Sequence, residues 1–334
     1  MPQRVLFGLA AMVSALGCGG AYGVKPAKPT PPAGGIENAA LPYQVLDART
    51  GRQLDTEVFW TDLAKARAIC IGEDHTNPHH HWVQLEIVRQ LAKRGTGAPF
   101  ALGLEMIQRP FQGPLDDYAA KRIDAAALRS RVGWQERWGY DWGFYGPTLD
   151  AAIGAGAKLL AANAAKELTK KVVRKGLDAL TPEEKAQVPE LVLDDATHRA
   201  WFEALMEDMG GAHAHSTGPK DENAPAAPAT PQPGDVPEMP SAERIYTVQV
   251  IWDETMADVT AQWLAATPNG HAIILAGNGH CHDSAIVKRL ERRGVGDVVS
   301  VRPVIDVEGG VAEALVKPVN DFVVVLKMPA PTPK

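Results

Sequence analysis

Hydrophobic residues fall along this chain in two alternating rhythms. Short apolar runs at 67–72 (RAICIG), 99–106 (PFALGLEM), 157–163 (AKLLAAN), 271–277 (HAIILAG), 298–304 (VVSVRPV) and 321–328 (DFVVVLKM) suit strands buried on both faces. Between them, apolar positions recur at helical spacing over 80–93, 145–154, 166–175, 194–209, 244–266 and 283–293. Strands that alternate with helices predict an α/β fold with a mainly parallel central sheet flanked by helices.

Residues 210–243 break this rhythm. The stretch is rich in Pro, Gly and Ala and carries almost no large apolar side chain, so it cannot bury enough surface to order itself. It is expected to be a disordered Pro/Ala-rich insertion between two helices, with His213 and His215 as solvated residues. The rest of 43–328 is expected to form one α/β domain, followed by a short tail at 329–334. With 45% hydrophobic residues, the chain has enough apolar material for such a core.

The N-terminus follows a different pattern. Residues 1–17 combine a weakly basic start with a 13-residue apolar stretch, Val5 to Gly17, which is shorter than the roughly 20 residues a spanning helix needs. They read as a cleaved export signal. Small Gly17 before Cys18 resembles a lipoprotein signal, which makes Cys18 the lipidated first residue. Residues 18–42 are then a Pro-rich tether holding the domain off a membrane. Cys70 and Cys281 would remain in an oxidising compartment, where a disulfide between them is possible. The formal charge of −6 argues against nucleic acid as a partner.

The candidate chemistry sits where strands end. In ICIGEDHTNPHHH a strand closes at Gly72, the loop carries Glu73 and His75, and Asn77-Pro78 reads as an N-cap with proline at the first helical position. His79 and His80 fall in the first helical turn, where the helix dipole disfavours imidazolium and keeps the rings neutral. Successive helical residues diverge by about 100°, so the three histidines cannot all converge, and His81 is expected to face elsewhere. AIILAGNGHCHDSAIVKRL repeats the design with Asn278 and His280, and with Asp283 or Ser284 as the cap of the next helix. Glu105 and Asn163 end two further strands. Ligands of open α/β sheets bind beyond the carboxyl ends of the strands, so Glu73, His75, Glu105, Asn163, Asn278 and His280 are expected to share one crevice.

These segments, with WGFYGPTLDAA, LLAANAAKEL and QVIWDETMA, resemble the ChaN-type haem-binding uptake lipoproteins of the Tiki superfamily over about Arg67 to Val304. The resemblance implies an α/β domain, surface anchoring at the bacterial cell envelope, with the outer membrane the expected site, and haem or iron acquisition. An outer-membrane haem or iron transporter and a second copy of the chain are the partners to expect. It also implies an alternative, since the superfamily includes hydrolases in which paired Gly-x-x-His motifs and a glutamate carry metal-dependent or acid/base chemistry; His75, His280 and Glu105 are the matching positions.

Two functions therefore compete. As a haem module, the chain offers the aromatic-rich GWQERWGYDWGFYGP, in which Tyr140 and Tyr145 are the candidate iron ligands, with His79, His80, Asn163 and Asn278 as further contacts. As an esterase or peptidase, it offers Glu73, His75, Glu105 and His280 as catalytic groups, with His75, His280 and Glu105 as ligands of a divalent metal ion. Asp253 and Glu254 in IWDETMADV can add a carboxylate.

Overall fold

The structure, a computed structural model, describes residues 30–32, 34–95, 97–214, 241–306 and 309–327, with the backbone alone for 208–214. The expected signal, Cys18, residues 215–240 of the insertion and the tail from 329 lie outside the described residues. The chain divides into two compact units, one running through Lys166 and resuming at Trp252, the other covering Glu167–Ile251.

Among its described residues the first unit has eight strands: β1 (Tyr43–Asp47), β2 (Gln53–Leu54), β3 (Ala68–Ile71), β4 (Phe100–Gln108), β5 (Lys158–Asn163), β6 (His271–Leu275), β7 (Val298–Ile305) and β8 (Phe322–Leu326). They form one sheet in the order β2-β1-β8-β7-β3-β6-β4-β5. β8, β7, β3, β6, β4 and β5 run parallel, while β1 lies antiparallel to β8 and to β2. The six strands expected from the apolar runs are the six parallel ones.

Strand alternation explains the layers. Ile69 and Ile71 of β3, with Ile273 and Leu275 of β6, face a core that includes Trp82, Leu85 and Val88 of the helix Pro78–Arg94 and Leu149 of the helix Gly146–Gly154. Ala68 and Cys70, with Ala272 and Ile274, face the other way, onto Met256, Ala257 and Leu264 of the helix Ala242–Ala266 and Leu290 of Lys288–Arg292. Covered on both sides, the parallel strands need apolar residues at nearly every position, which is why they read as continuous hydrophobic runs.

Register brings the strand ends to one level. Ile71 pairs with Leu275, and Leu275 in turn with Leu104, so Gly72, Ala276 and Glu105 are the next residues along three adjacent strands. The chain steps outward in opposite directions from β3 and β6, past β6 to β4 and past β3 to β7. The two Gly-x-x-His turns therefore emerge at a topological switch point, where open α/β sheets leave space for a ligand.

The second unit has its own small core of Phe202, Tyr246 and Val250, packed with Leu191, Trp201 and Ile245. Arg199 pairs there with Glu243 at 2.8 Å.

Candidate functional site

The first turn is built from its caps. The Asn77 side chain accepts the backbone N–H of His79 at 3.0 Å, and Pro78 opens the helix Pro78–Arg94, as expected from the sequence. The Asp74 backbone N–H donates to His80 Nδ1 at 2.9 Å, so that nitrogen is unprotonated and the ring neutral. Burial, with the charge of His81 opposing that of Asp74, lowers the His80 pKa to about 4. Burial also lowers the pKa of His79.

His81 departs from the expectation. The fully buried His81 places Nδ1 3.2 Å from Glu73 Oε2 and stacks on Phe144. Two helical positions separate it from His79, and the Glu73 carboxylate lies against the face that His81 presents.

Glu73 is the hub of the site. His75 Nδ1–H donates to its Oε1 at 2.5 Å, and the Tyr145 hydroxyl donates to the same oxygen at 2.8 Å. Burial alone would raise the Glu73 carboxyl, but His81 and His75 outweigh it and hold it well below the usual range. For His75 burial acts downward, and the Glu73 hydrogen bond with the Glu105 charge overcomes it, so the ring is raised. Tyr145 is fully buried, and burial together with the Glu73 charge pushes its phenol well above 10.

The second turn mirrors the first. His280 Nδ1–H donates to Asp253 Oδ1 at 2.6 Å, while Nε2 lies 3.4 Å from Glu105 Oε1. The other Glu105 oxygen accepts the Gly277 N–H at 2.7 Å. Burial disfavours the His280 imidazolium, but Glu105 and Asp253 raise its pKa to about 10. Glu105 shifts the other way: burial would raise it, and His280 and His75 hold it below the ordinary value. Neighbouring Glu254 pairs with Arg292 at 2.5 Å and Arg293 at 2.7 Å, and the buried Arg289 links it to Asp253, lying 3.3 Å from Glu254 and 3.8 Å from Asp253.

The expected crevice residues thus come together in two ways. Glu73, His75, Glu105 and His280 form one buried acid–base network. Asn163 and Asn278 bind backbone beside it: Asn163 Nδ2–H donates to the Glu105 carbonyl at 2.9 Å and its Oδ1 accepts the Ala164 N–H at 2.8 Å, while the Asn278 N–H donates to the Glu73 carbonyl at 2.8 Å. The expected cap of the second turn is absent. A π-turn, Asp283–Val287, follows His282 with no side-chain cap, and the Asp283 carboxylate pairs with Arg49 at 2.9 Å instead.

An aromatic wall flanks His75. Its ring centroid lies 4.7 Å from Trp138 and 5.0 Å from Tyr140. Tyr140 is half-buried, and burial with the charges of Glu105, Asp74 and Glu73 pushes its phenol up to about 12. Among the described residues no three His, Cys, Asp or Glu side chains are disposed to hold a metal ion. His75 is engaged with Glu73, His280 with Glu105 and Asp253, and Glu105 also with Gly277.

Sequence reasoning turned His81 away from the site, included Trp138 only as one of several aromatics in its segment, and treated Asp253 as an optional carboxylate. Asp253 carried little signal that set it apart from the adjacent Glu254 in IWDETMADV. His81 carried none that distinguishes it from its neighbours.

Residues 59–290 match the model of a family described as haem-binding uptake, Tiki superfamily, ChaN. Among solved structures, ChaN of Campylobacter jejuni, described with cofacial haem binding, superposes with a TM-score of 0.61 at 18% identity, over 86% of this chain and 97% of that one. That likeness is one of fold. The type III effector HopBA1 (TM-score 0.39, 11% identity, 90% of this chain and 98% of that one) and an erythromycin esterase in its open conformation (TM-score 0.40, 13% identity, 84% and 82%) are too distant to carry an argument. No curated protein matches the chain.

Proposed function

The chain belongs to the ChaN haem-binding uptake family of the Tiki superfamily, and from that membership we propose that it binds haem beside the strand-end network and serves haem or iron acquisition at the cell envelope. The observation that carries this reading is the family match across 59–290, which spans every residue of the network and of the aromatic wall. The donor set fits ferric haem. Tyr140 combines a phenol with partial exposure, and Trp138 and His75 set flat rings beside it.

Tyr140 is the ligand in this account, and Tyr145 is a positioning residue. The hydroxyl of Tyr145 is already committed to Glu73 beneath the surface, and reaching an iron would break that bond and expose the Glu73 charge. His75 and His280 each direct Nδ1 to a carboxylate, Glu73 and Asp253, and both rings are buried, which leaves Tyr140 the more exposed donor. When bound, haem supplies an iron that accepts an anionic oxygen. The protein's part is to place Tyr140, wall the porphyrin with Trp138 and His75, and keep Glu73 and Glu105 ionised below them.

Cleavage before Cys18, lipidation there, outer-membrane anchoring and delivery to or from a transporter complete the reading. The disulfide between Cys70 and Cys281 supports export, because such bonds persist in oxidising compartments. No helix among the described residues is long and apolar enough to cross a membrane. A flat ligand with one open face suits a site shared between two copies, and the cofacial haem of the Campylobacter jejuni relative is in keeping with that.

Haemin titration of the domain tests the reading. A saturable Soret shift is expected for the parent, with affinity reduced roughly tenfold or more in Tyr140→Phe and retained in Tyr145→Phe, a difference of about 1.4 kcal/mol per tenfold. A parent without saturable binding, or a Tyr140→Phe variant of undiminished affinity, contradicts it. One observation favours a second reading, acid–base hydrolysis. His75 is braced by Glu73 at 2.5 Å as a general base would be, and chelator-insensitive ester hydrolysis abolished by Glu73→Gln would establish it.

A further inference from the structure

A disulfide joins Cys70, in the middle of β3, to Cys281, the residue after His280. Its Cα atoms are 5.2 Å apart across 211 residues of sequence, and both side chains are buried. Cys70 lies in register with Ile274 of β6 and Ser300 of β7, so one end of the bridge is fixed in the centre of the sheet. The other end lies in a segment that is neither strand nor regular helix.

Besides the bridge, that segment is held by hydrogen bonds, by the Asp283–Arg49 ion pair and by packing of Ala276 and Ile286 in an apolar cluster. Asn278 N–H donates to the Glu73 carbonyl at 2.8 Å, Asn320 Nδ2–H to the Cys281 carbonyl at 2.6 Å, and Asp283 N–H to the Val319 carbonyl at 2.8 Å. Bonds of this kind each contribute about 1 kcal/mol net. His280 must be delivered to two carboxylates on different elements at once, Glu105 on β4 and Asp253 on the helix Ala242–Ala266. A covalent anchor on the adjacent residue supplies the constraint that the hydrogen bonds share weakly.

We infer that oxidation of Cys70 and Cys281 is a maturation step that precedes ligand binding, because the bridge is what sets His280 between Glu105 and Asp253. The step is a disulfide exchange with a disulfide-bearing oxidant. One cysteine, as the thiolate, attacks a sulfur of the oxidant, forms a mixed disulfide and releases the oxidant's first thiolate. The other cysteine loses its proton and attacks the protein sulfur of the mixed disulfide; the Cys70–Cys281 bond forms and the second thiolate leaves. Two electrons pass to the oxidant, whose disulfide ends as two thiols, and the two cysteine protons are released or taken up by its thiolates. Because both sulfurs are buried in the finished fold, the exchange occurs before the His280 turn closes, and the closed turn then shields the bridge from reductants.

The binding arm of the test rests on the haem reading; the structural arm does not. The full-length protein is reduced in denaturant, freed of reductant and refolded with or without oxidised glutathione, beside a C70A/C281A double variant. Far-UV circular dichroism reports the fold, the downfield NMR resonance of the His280 Nδ1 proton reports its bond to Asp253, and haemin titration reports binding. Expected for the dithiol chain and the double variant are a retained fold, loss of that resonance, and haemin affinity lowered about tenfold or more. A dithiol chain that keeps the resonance and binds within about twofold of the oxidised protein overturns the inference. So does a chain that loses its fold, since the bridge would then hold the sheet and not the turn. If the oxidised protein itself fails to bind haemin, the haem reading falls, and the His280 resonance alone decides the inference.

Discussion

Three side chains from three elements meet the Glu73 carboxylate: His75 from its own loop, His81 from the following helix and Tyr145 from the aromatic segment. Removing the charge leaves a raised imidazolium buried without its counter-ion. Glu73→Gln is therefore expected to cost about 3 kcal/mol, the scale for breaking a buried ion pair from one side, read as a lower urea midpoint at unchanged slope. The pH dependence follows from the same residues. The folded-state pKa of His280 is about 10 against an ordinary 6.5, so its contribution to stability is complete below pH 6.5 and is lost as pH rises through 10. Glu73 and Glu105 are lowered, so theirs is complete above the ordinary carboxylate range and is lost on acidification. His80, lowered to about 4, also costs stability as pH falls from 6.5, because the unfolded ring takes up a proton first. Stability is thus expected to decline from neutrality in both directions, and His280→Asn to flatten the alkaline limb of thermal melts.

At the scale of elements, two glycines let the turns close. A Cβ at Gly72 would fall 2.2 Å from Asn278 Oδ1, and one at Gly277 would lie 3.1 Å from His75 Cε1. Gly72→Ala must push Asn278 away and is expected to cost about 1–3 kcal/mol. Gly277→Ala asks the His75 ring to move by tenths of an ångström, so a smaller loss of stability with a weakened haemin Soret shift is expected. Both glycines were legible as parts of Gly-x-x-His motifs, and so were the six parallel strands, because burial on both faces writes itself as a continuous apolar run. β1 and β2 were not, since an antiparallel edge mixes polar and apolar residues, as in the half-exposed Tyr43 and Gln44. The π-turn at Asp283–Val287 escaped as well: its residues have ordinary helical spacing, and the register of its hydrogen bonds depends on the fold around it. Site residues at strand ends could be read from position alone. Which histidine of His79, His80 and His81 meets Glu73 could not, because a loop distant from regular periodicity decides it.

For the molecule as a whole, haem is proposed to sit at the switch point of an α/β domain that carries a Cys70–Cys281 disulfide. If Cys18 carries the lipid, Cys18→Ser is expected to move the protein from the membrane to the soluble fraction, as checked by cell fractionation. The central claim is ligation by Tyr140, and the resonance Raman spectrum of the haemin-loaded protein tests it most directly. Iron–phenolate vibrations are predicted in the parent and in Tyr145→Phe, and their loss in Tyr140→Phe. A spectrum without phenolate modes, or one that Tyr140→Phe leaves unchanged, would contradict the account.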